Sequence, residues 1–169
     1  MRKGQIIGQI FIFVLAALIF VLILLYGYRA ISGFLKTKEQ VEVTEFKTEL
    51  ESKVKAIRIS YGSVRRAEFV LPATYLEFCA VDPNMSPNHA NMFSESHPLM
   101  YNAWFGDPSN TIFLRPLLET SIQLEDVAVK GPQNPDEPGY LCLPITSGKL
   151  VIGMRGLGDR AEIIPWADQ

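Results

Sequence analysis

The spacing of hydrophobic positions changes character three times along the chain. Residues 10–26, IFIFVLAALIFVLILLY, are apolar or aromatic without interruption, and no Asp, Glu, Lys or Arg lies between Lys3 and Arg29. A helix rising about 1.5 Å per residue needs roughly 20 largely apolar residues to cross a hydrocarbon core about 30 Å thick. Residues 6–26 meet that length if the neutral Gln9 is included, which predicts a transmembrane helix over 5–31. A buried helix of a soluble protein is disfavoured by this length. A cleaved secretory signal is the nearer rival, because Arg2 and Lys3 form a basic start before an apolar stretch. The run is longer than the usual signal core, and Tyr26-Gly27-Tyr28-Arg29-Ala30 lacks a small-x-small cleavage pattern, so an uncleaved span is expected.

The second pattern follows Ser32-Gly33, read as a bend. Val43, Phe46, Leu50, Val54, Ile57 and Tyr61 recur at spacings of three and four, the stripe of an amphipathic helix over 36–62. Its other face carries Glu45, Lys47, Glu49, Glu51, Lys53 and Lys55, with Glu51 and Lys55 in the favourable i to i+4 order. The stripe predicts packing on the domain that follows, while a coiled-coil self-association seam is the alternative that fewer than three full heptads support only weakly. Gly62-Ser63 supplies the stop.

Beyond Gly62 the apolar runs shorten into strands, at 69–71, 75–81, 111–114, 122–124, 140–145, 149–154 and 160–164, with turns at Gly148 and Gly158. The stretches 82–88 and 131–139, dense in Pro and Asn, read as loops. The expected fold class is α+β. An N-terminal transmembrane helix leads to an amphipathic helical segment packed on a small antiparallel β-rich head domain over 63–169.

Charge narrows the functional classes. The 169 residues carry a formal net charge of −2, and from Arg29 onward fourteen basic side chains face eighteen acidic ones with both signs mixed. That is not the footprint of a nucleic-acid binder. Flanking charges alone leave the orientation of the span open, since Arg2 and Lys3 on one side face Arg29, Lys36 and Lys38 on the other. The two cysteines, Cys79 and Cys142, fall in expected strands, where a disulfide would require an oxidising compartment and two buried thiols would not. With the basic N-terminal pair, the disulfide reading favours a cell-membrane protein with its head outside the cytoplasm.

No chemistry assembles from spacing alone. There is no G-x-S-x-G, and no catalytic residue or cofactor is expected. His89 and His97 can be imagined joining Cys79 and Cys142 around zinc, but their spacing matches no recurrent ligand pattern. They read as solvated loop histidines, and no metal is expected. Gly153-Met154-Arg155-Gly156-Leu157-Gly158 has no helix after it to hold a phosphate and reads as a β-turn. Asp82, Asn84, Asn88 and Asn91 lack the spacing of an EF-hand and read as turn residues. Asn84-Met85-Ser86 is an N-glycosylation sequon, followed by Pro87. Tyr101, Trp104, Phe105 and Trp166 suit either a core or an exposed contact surface.

The start of the chain, Arg2-Lys3-Gly4-Gln5 followed directly by the apolar helix, resembles the class III signal peptide of archaeal type IV pilins and archaellins. The resemblance covers roughly the first thirty residues. It implies a leader at 1–4, cut by a prepilin peptidase between Gly4 and Gln5, with the apolar helix retained first as an anchor and then as an assembly element. It also implies a β-rich head on a long N-terminal helix. Gln9 falls at the assembly position, where many pilins carry Glu, and keeps the shape without the charge. Ile7 replaces the serine of the Q-x-S-x-E pattern. A minor or pilin-like surface protein fits these departures better than a major pilin. The expected partners are the lipid bilayer, a prepilin peptidase and other pilin-like subunits. The layout from Tyr61-Gly62-Ser63-Val64 onward also resembles small membrane-anchored proteins of archaeal genomes. The alternative is a bitopic membrane protein whose β domain binds a ligand or partner and is neither processed nor assembled into filaments.

Overall fold

The computed structural model describes residues 4–117, 122–132, 134 and 136–166, and the side chains of 4–10 and 30–37 lie outside that description. The chain divides into two units, Met1–Val41 and Glu42–Gln169.

The first helix, α1 (Gly4–Arg58), is continuous. Ser32 and Gly33, expected to interrupt it, have helical backbone, and the two expected helices are one element. A glycine inside a helix costs only about 1 kcal/mol relative to Ala, too little to interrupt strong helix formers on both sides. Within α1, Phe11–Arg29 is long and apolar enough to cross a membrane by length and composition, and none of it is buried. Gly4, Gln5 and Gln9 have helical backbone; their side chains, and residues 1–3, lie outside the described residues.

In the second unit the apolar stripe of α1 enters the core. Phe46, Leu50, Val54 and Ile57 are buried, whereas Tyr61 is exposed. The helix ends at Arg58, so the period of the stripe no longer applies at Tyr61. On the polar face Glu49 pairs with Lys53 in the i to i+4 relation, at 2.6 Å. Lys53 also sits 4.5 Å above the Phe69 ring, its stem covering the aromatic while its ammonium stays at the surface.

Eight strands follow among the described residues: β1 (Val64–Val70), β2 (Glu77–Val81), β3 (Asn110–Arg115), β4 (Ile122–Gln123), β5 (Val127–Val129), β6 (Tyr140–Pro144), β7 (Lys149–Gly156) and β8 (Ala161–Pro165). They form two four-stranded sheets, ordered β1-β7-β8-β5 and β4-β3-β2-β6. The head is not wholly antiparallel, because β5 runs parallel to β8. Strand β5 has three residues, too few to show alternation.

One apolar cluster joins the two sheets. It takes Ala67, Phe69, Leu150, Ile152 and Ile163 from the first, Phe78, Ala80, Ile112, Leu114 and Leu143 from the second, and the stripe of α1. Phe46 meets Phe69 and Phe78 edge-on, at centroid distances of 5.4 and 6.3 Å, and so bridges both sheets. Gly156 lets β7 approach the end of α1. A Cβ there would lie 2.2 Å from the Ile57 carbonyl oxygen and 2.3 Å from that of Ser60. The glycine run therefore serves packing and a turn, with Gly148 and Gly158 at positive φ.

Two helices absent from the sequence expectation, α2 (Pro87–Ser96) and α3 (Pro98–Gly106), contribute to a second apolar cluster with Cys79, Val81 and Phe113 of the second sheet. The expected loop over 82–88 thus gives way to a helix at Pro87. Ser86 caps it with its side-chain oxygen and Pro87 occupies the first turn, where a missing N–H is harmless.

Candidate functional site

Alternation along β2 sorts its side chains between two environments. Phe78 and Ala80 enter the core between the sheets, while Cys79 and Val81 join the cluster beneath α2 and α3. Glu77, two residues before Cys79, shares that outer face. On the neighbouring β6, Cys142 stands directly opposite Cys79 in the antiparallel register. Their Cα atoms are 4.1 Å apart, and the two form a disulfide. Cys79 is fully buried, whereas Cys142 is half-buried.

His97 reaches the same place from above. Pro98 disfavours helical backbone at the residue before it, so α2 stops at Ser96 and His97 leaves the helical region, at φ −136° and ψ 62°, at the corner between the helices. Its backbone N–H donates to the Phe93 carbonyl at 2.7 Å. The imidazole stacks on Phe93 at 5.4 Å and meets Tyr140 edge-on at 6.3 Å. Nδ1 lies 2.9 Å from Ser96 Oγ, which leaves Nε2 to face Glu77 Oε1 at 3.4 Å. Glu77 Oε2 lies 3.3 Å from Arg115 Nη1, on the adjacent β3. One potential ligand atom from each of Glu77, Cys79, His97 and Cys142 lies within 4.8 Å of all the others.

This four-residue group differs from the set imagined from sequence. His97 joins the cysteines and His89 does not, and the fourth member, Glu77, was not singled out. Glu-x-Cys on one strand was the available signal, since residues two apart share a face. Neither histidine is a solvated loop residue. His97 is mostly enclosed, and His89 lies buried in α2. His89 Nδ1 lies 3.0 Å from Ser86 Oγ and 3.2 Å from the Pro138 carbonyl, tying α2 to the 131–139 segment.

The remaining candidates are dispersed. Asp82 is buried, and its carboxylate accepts from the backbone N–H groups of Asn84 at 2.9 Å and Val129 at 3.1 Å. It fastens β2 to β5, while Asn88 and Asn91 are exposed on α2. Asn84 is exposed, but Ser86 of its sequon holds the α2 cap. Trp104 is buried, Phe105 is exposed, and Tyr101 is half-buried and stacked on Phe105 at 5.8 Å. Sequence reasoning also missed Glu162, a buried carboxylate in β8 with Arg155 at 3.2 Å and Lys130 at 3.7 Å. Arg155 is its register partner on β7, so the pair links neighbouring strands.

No protein-family model, curated protein or solved structure matches the chain.

Proposed function

We propose that this protein is a single-span, pilin-like surface protein that presents its β-rich head outside the cytoplasm for assembly or contact, without catalysis. The observation that carries the reading is α1. Its wholly exposed apolar stretch, Phe11–Arg29, continues without a break into a stripe that forms part of the head's core. An exposed apolar surface of that length needs a cover, and a bilayer or the apolar helices of neighbouring subunits would supply it. The Cys79–Cys142 disulfide supports an oxidising surrounding for the head. Arg2-Lys3-Gly4-Gln5 before the apolar helix supports processing by a prepilin peptidase at Gly4, with Gln9 the position that meets a neighbouring subunit.

Mass spectrometry of protein extracted from the membrane tests the reading, with a mature N-terminus at Gln5 as the expected result. Gly4→Phe should leave the precursor uncut. Residues 1–4 intact on the mature protein, with localisation unchanged in Gly4→Phe, would favour an unprocessed bitopic protein instead.

A further inference from the structure

We infer that Glu77, Cys79, His97 and Cys142 bind a zinc-type divalent cation when the Cys79–Cys142 bridge is reduced, so that disulfide and metal are alternative fastenings of one site. The inference does not depend on processing at Gly4; in the oxidising surrounding proposed for the head the bridged form is the resting one, and the metal form requires a reductant. Two cysteines, a histidine and a carboxylate are a ligand set suited to zinc, in kind and in number. Their ligand atoms already lie within 4.8 Å of one another. Tetrahedral bonds of about 2.0 to 2.3 Å place neighbouring ligand atoms about 3.3 to 3.8 Å apart. Glu77 Oε1 and His97 Nε2, at 3.4 Å, stand at that separation. The sulfurs, bonded to each other in the oxidised protein, would separate by side-chain rotation from facing positions on paired strands.

The surroundings have the form of a metal ligand's outer shell. Ser96 Oγ at Nδ1 and the Phe93 ring hold the imidazole with Nε2 directed at the site, and a partner on the second ring nitrogen is the usual support for a ligating histidine. Two thiolates and a carboxylate around a divalent cation leave one excess negative charge, which Arg115 beside Glu77 is placed to offset. Half-buried Cys142 offers a reductant access to the bridge.

The steps balance. A dithiol reductant transfers two electrons and two protons to the S–S bond, giving two thiols, and leaves as its own disulfide. Zinc then displaces both thiol protons to solvent and accepts the Nε2 lone pair and a Glu77 oxygen.

The test uses the full-length chain in detergent, reduced with a trialkylphosphine, which is oxidised to its oxide with an oxygen from water and does not compete as a thiol. After removal of excess reductant, cobalt(II) serves as the probe. The expected result is one equivalent bound, with thiolate-to-cobalt charge-transfer absorption, and no such absorption in the oxidised protein. His97→Ala and Glu77→Gln should each weaken binding at least about tenfold, the lower end of the loss caused by removing even an outer-shell partner. X-ray absorption of the zinc-loaded wild type needs no variant and should show two sulfur and two nitrogen or oxygen neighbours. The inference is overturned if the reduced chain takes up no cobalt, whether folded or unfolded. It is equally overturned if zinc has no sulfur neighbour, or if both variants bind as tightly as wild type.

Discussion

A hydrogen in place of a methyl group decides how the 131–139 segment closes on α2. A Cβ at Gly131 would lie 1.9 Å from His89 Cε1. The imidazole cannot simply swing aside, because Nδ1 must carry its hydrogen to serve the Pro138 carbonyl at 3.2 Å while it also lies 3.0 Å from Ser86 Oγ. Gly131→Ala should therefore destabilise the head by about 1–3 kcal/mol, the usual cost of overpacking a closed site. Urea denaturation measures it, and the loss should shrink in a His89→Ala background. Equal losses in both backgrounds would remove the imidazole as the cause. Asp107, at the end of α3, offers a pH-dependent counterpart. The Ser109 hydroxyl, 2.6 Å from its carboxylate, and then the Ser109 backbone N–H hold its pKa below the usual carboxylate value. A carboxylate lowered by folding contributes stability above its unfolded pKa of about 3.9, and that contribution fades as pH falls through the folded value. In Ser109→Ala the Asp107 carboxyl should titrate higher by NMR, and an unchanged midpoint would show that the hydroxyl is not the main cause.

At the scale of elements, the stripe of α1 is structural in the head whatever its N-terminal half does. Leu50 is fully buried among both sheets' side chains. Leu50→Ala should cost about 2–5 kcal/mol through lost burial and the cavity left behind. Glu45→Ala, on the exposed face one position before Phe46, should stay within about 0.5 kcal/mol. Comparable urea midpoints for the two variants would contradict the packing of the stripe. This helix was legible because its apolar residues repeat over several turns, and the longer strands were legible by alternation and turns. Helix α2 was not, because its starting signals, Ser86 as cap and Pro87 in the first turn, sit among the Pro and Asn residues that suggest a loop. Helix α3 has nine residues and is apolar on several sides, so no clean stripe marks it. Strand β5 depends on a parallel partner over thirty positions away, β8, which no local pattern announces.

Across the whole molecule, the α+β composition could be read from the chain, but the juxtaposition at the candidate site could not. It requires a register between β2 and β6, set by contacts distant in sequence, and a corner at Pro98 between two helices that no clean local stripe marks. Two cysteines leave a single intramolecular pairing, so the partners of a bridge were legible, but the choice between a bridge and two buried thiols was not, nor was the Glu77–His97 pair beside it. The bridge ties the edge strand β6 to β2, which lies inside its sheet, across a separation of 63 residues. Closing a loop of that length restricts the unfolded chain and stabilises the fold by about 4 kcal/mol in the chain-entropy account. Urea unfolding of oxidised and phosphine-reduced protein, both with a chelator so that metal binding does not contribute, should separate the midpoints accordingly. The loss should also be local first, because among the described strands β6 has β2 as its neighbour on one side and none in its sheet on the other. Amide exchange in the reduced, metal-free protein should therefore rise at β6 while β7, paired on both sides in the other sheet, keeps its protection. Equal urea midpoints would mean that the bridge adds nothing to stability, and a uniform rise in exchange across both sheets would mean that the head opens only as one unit.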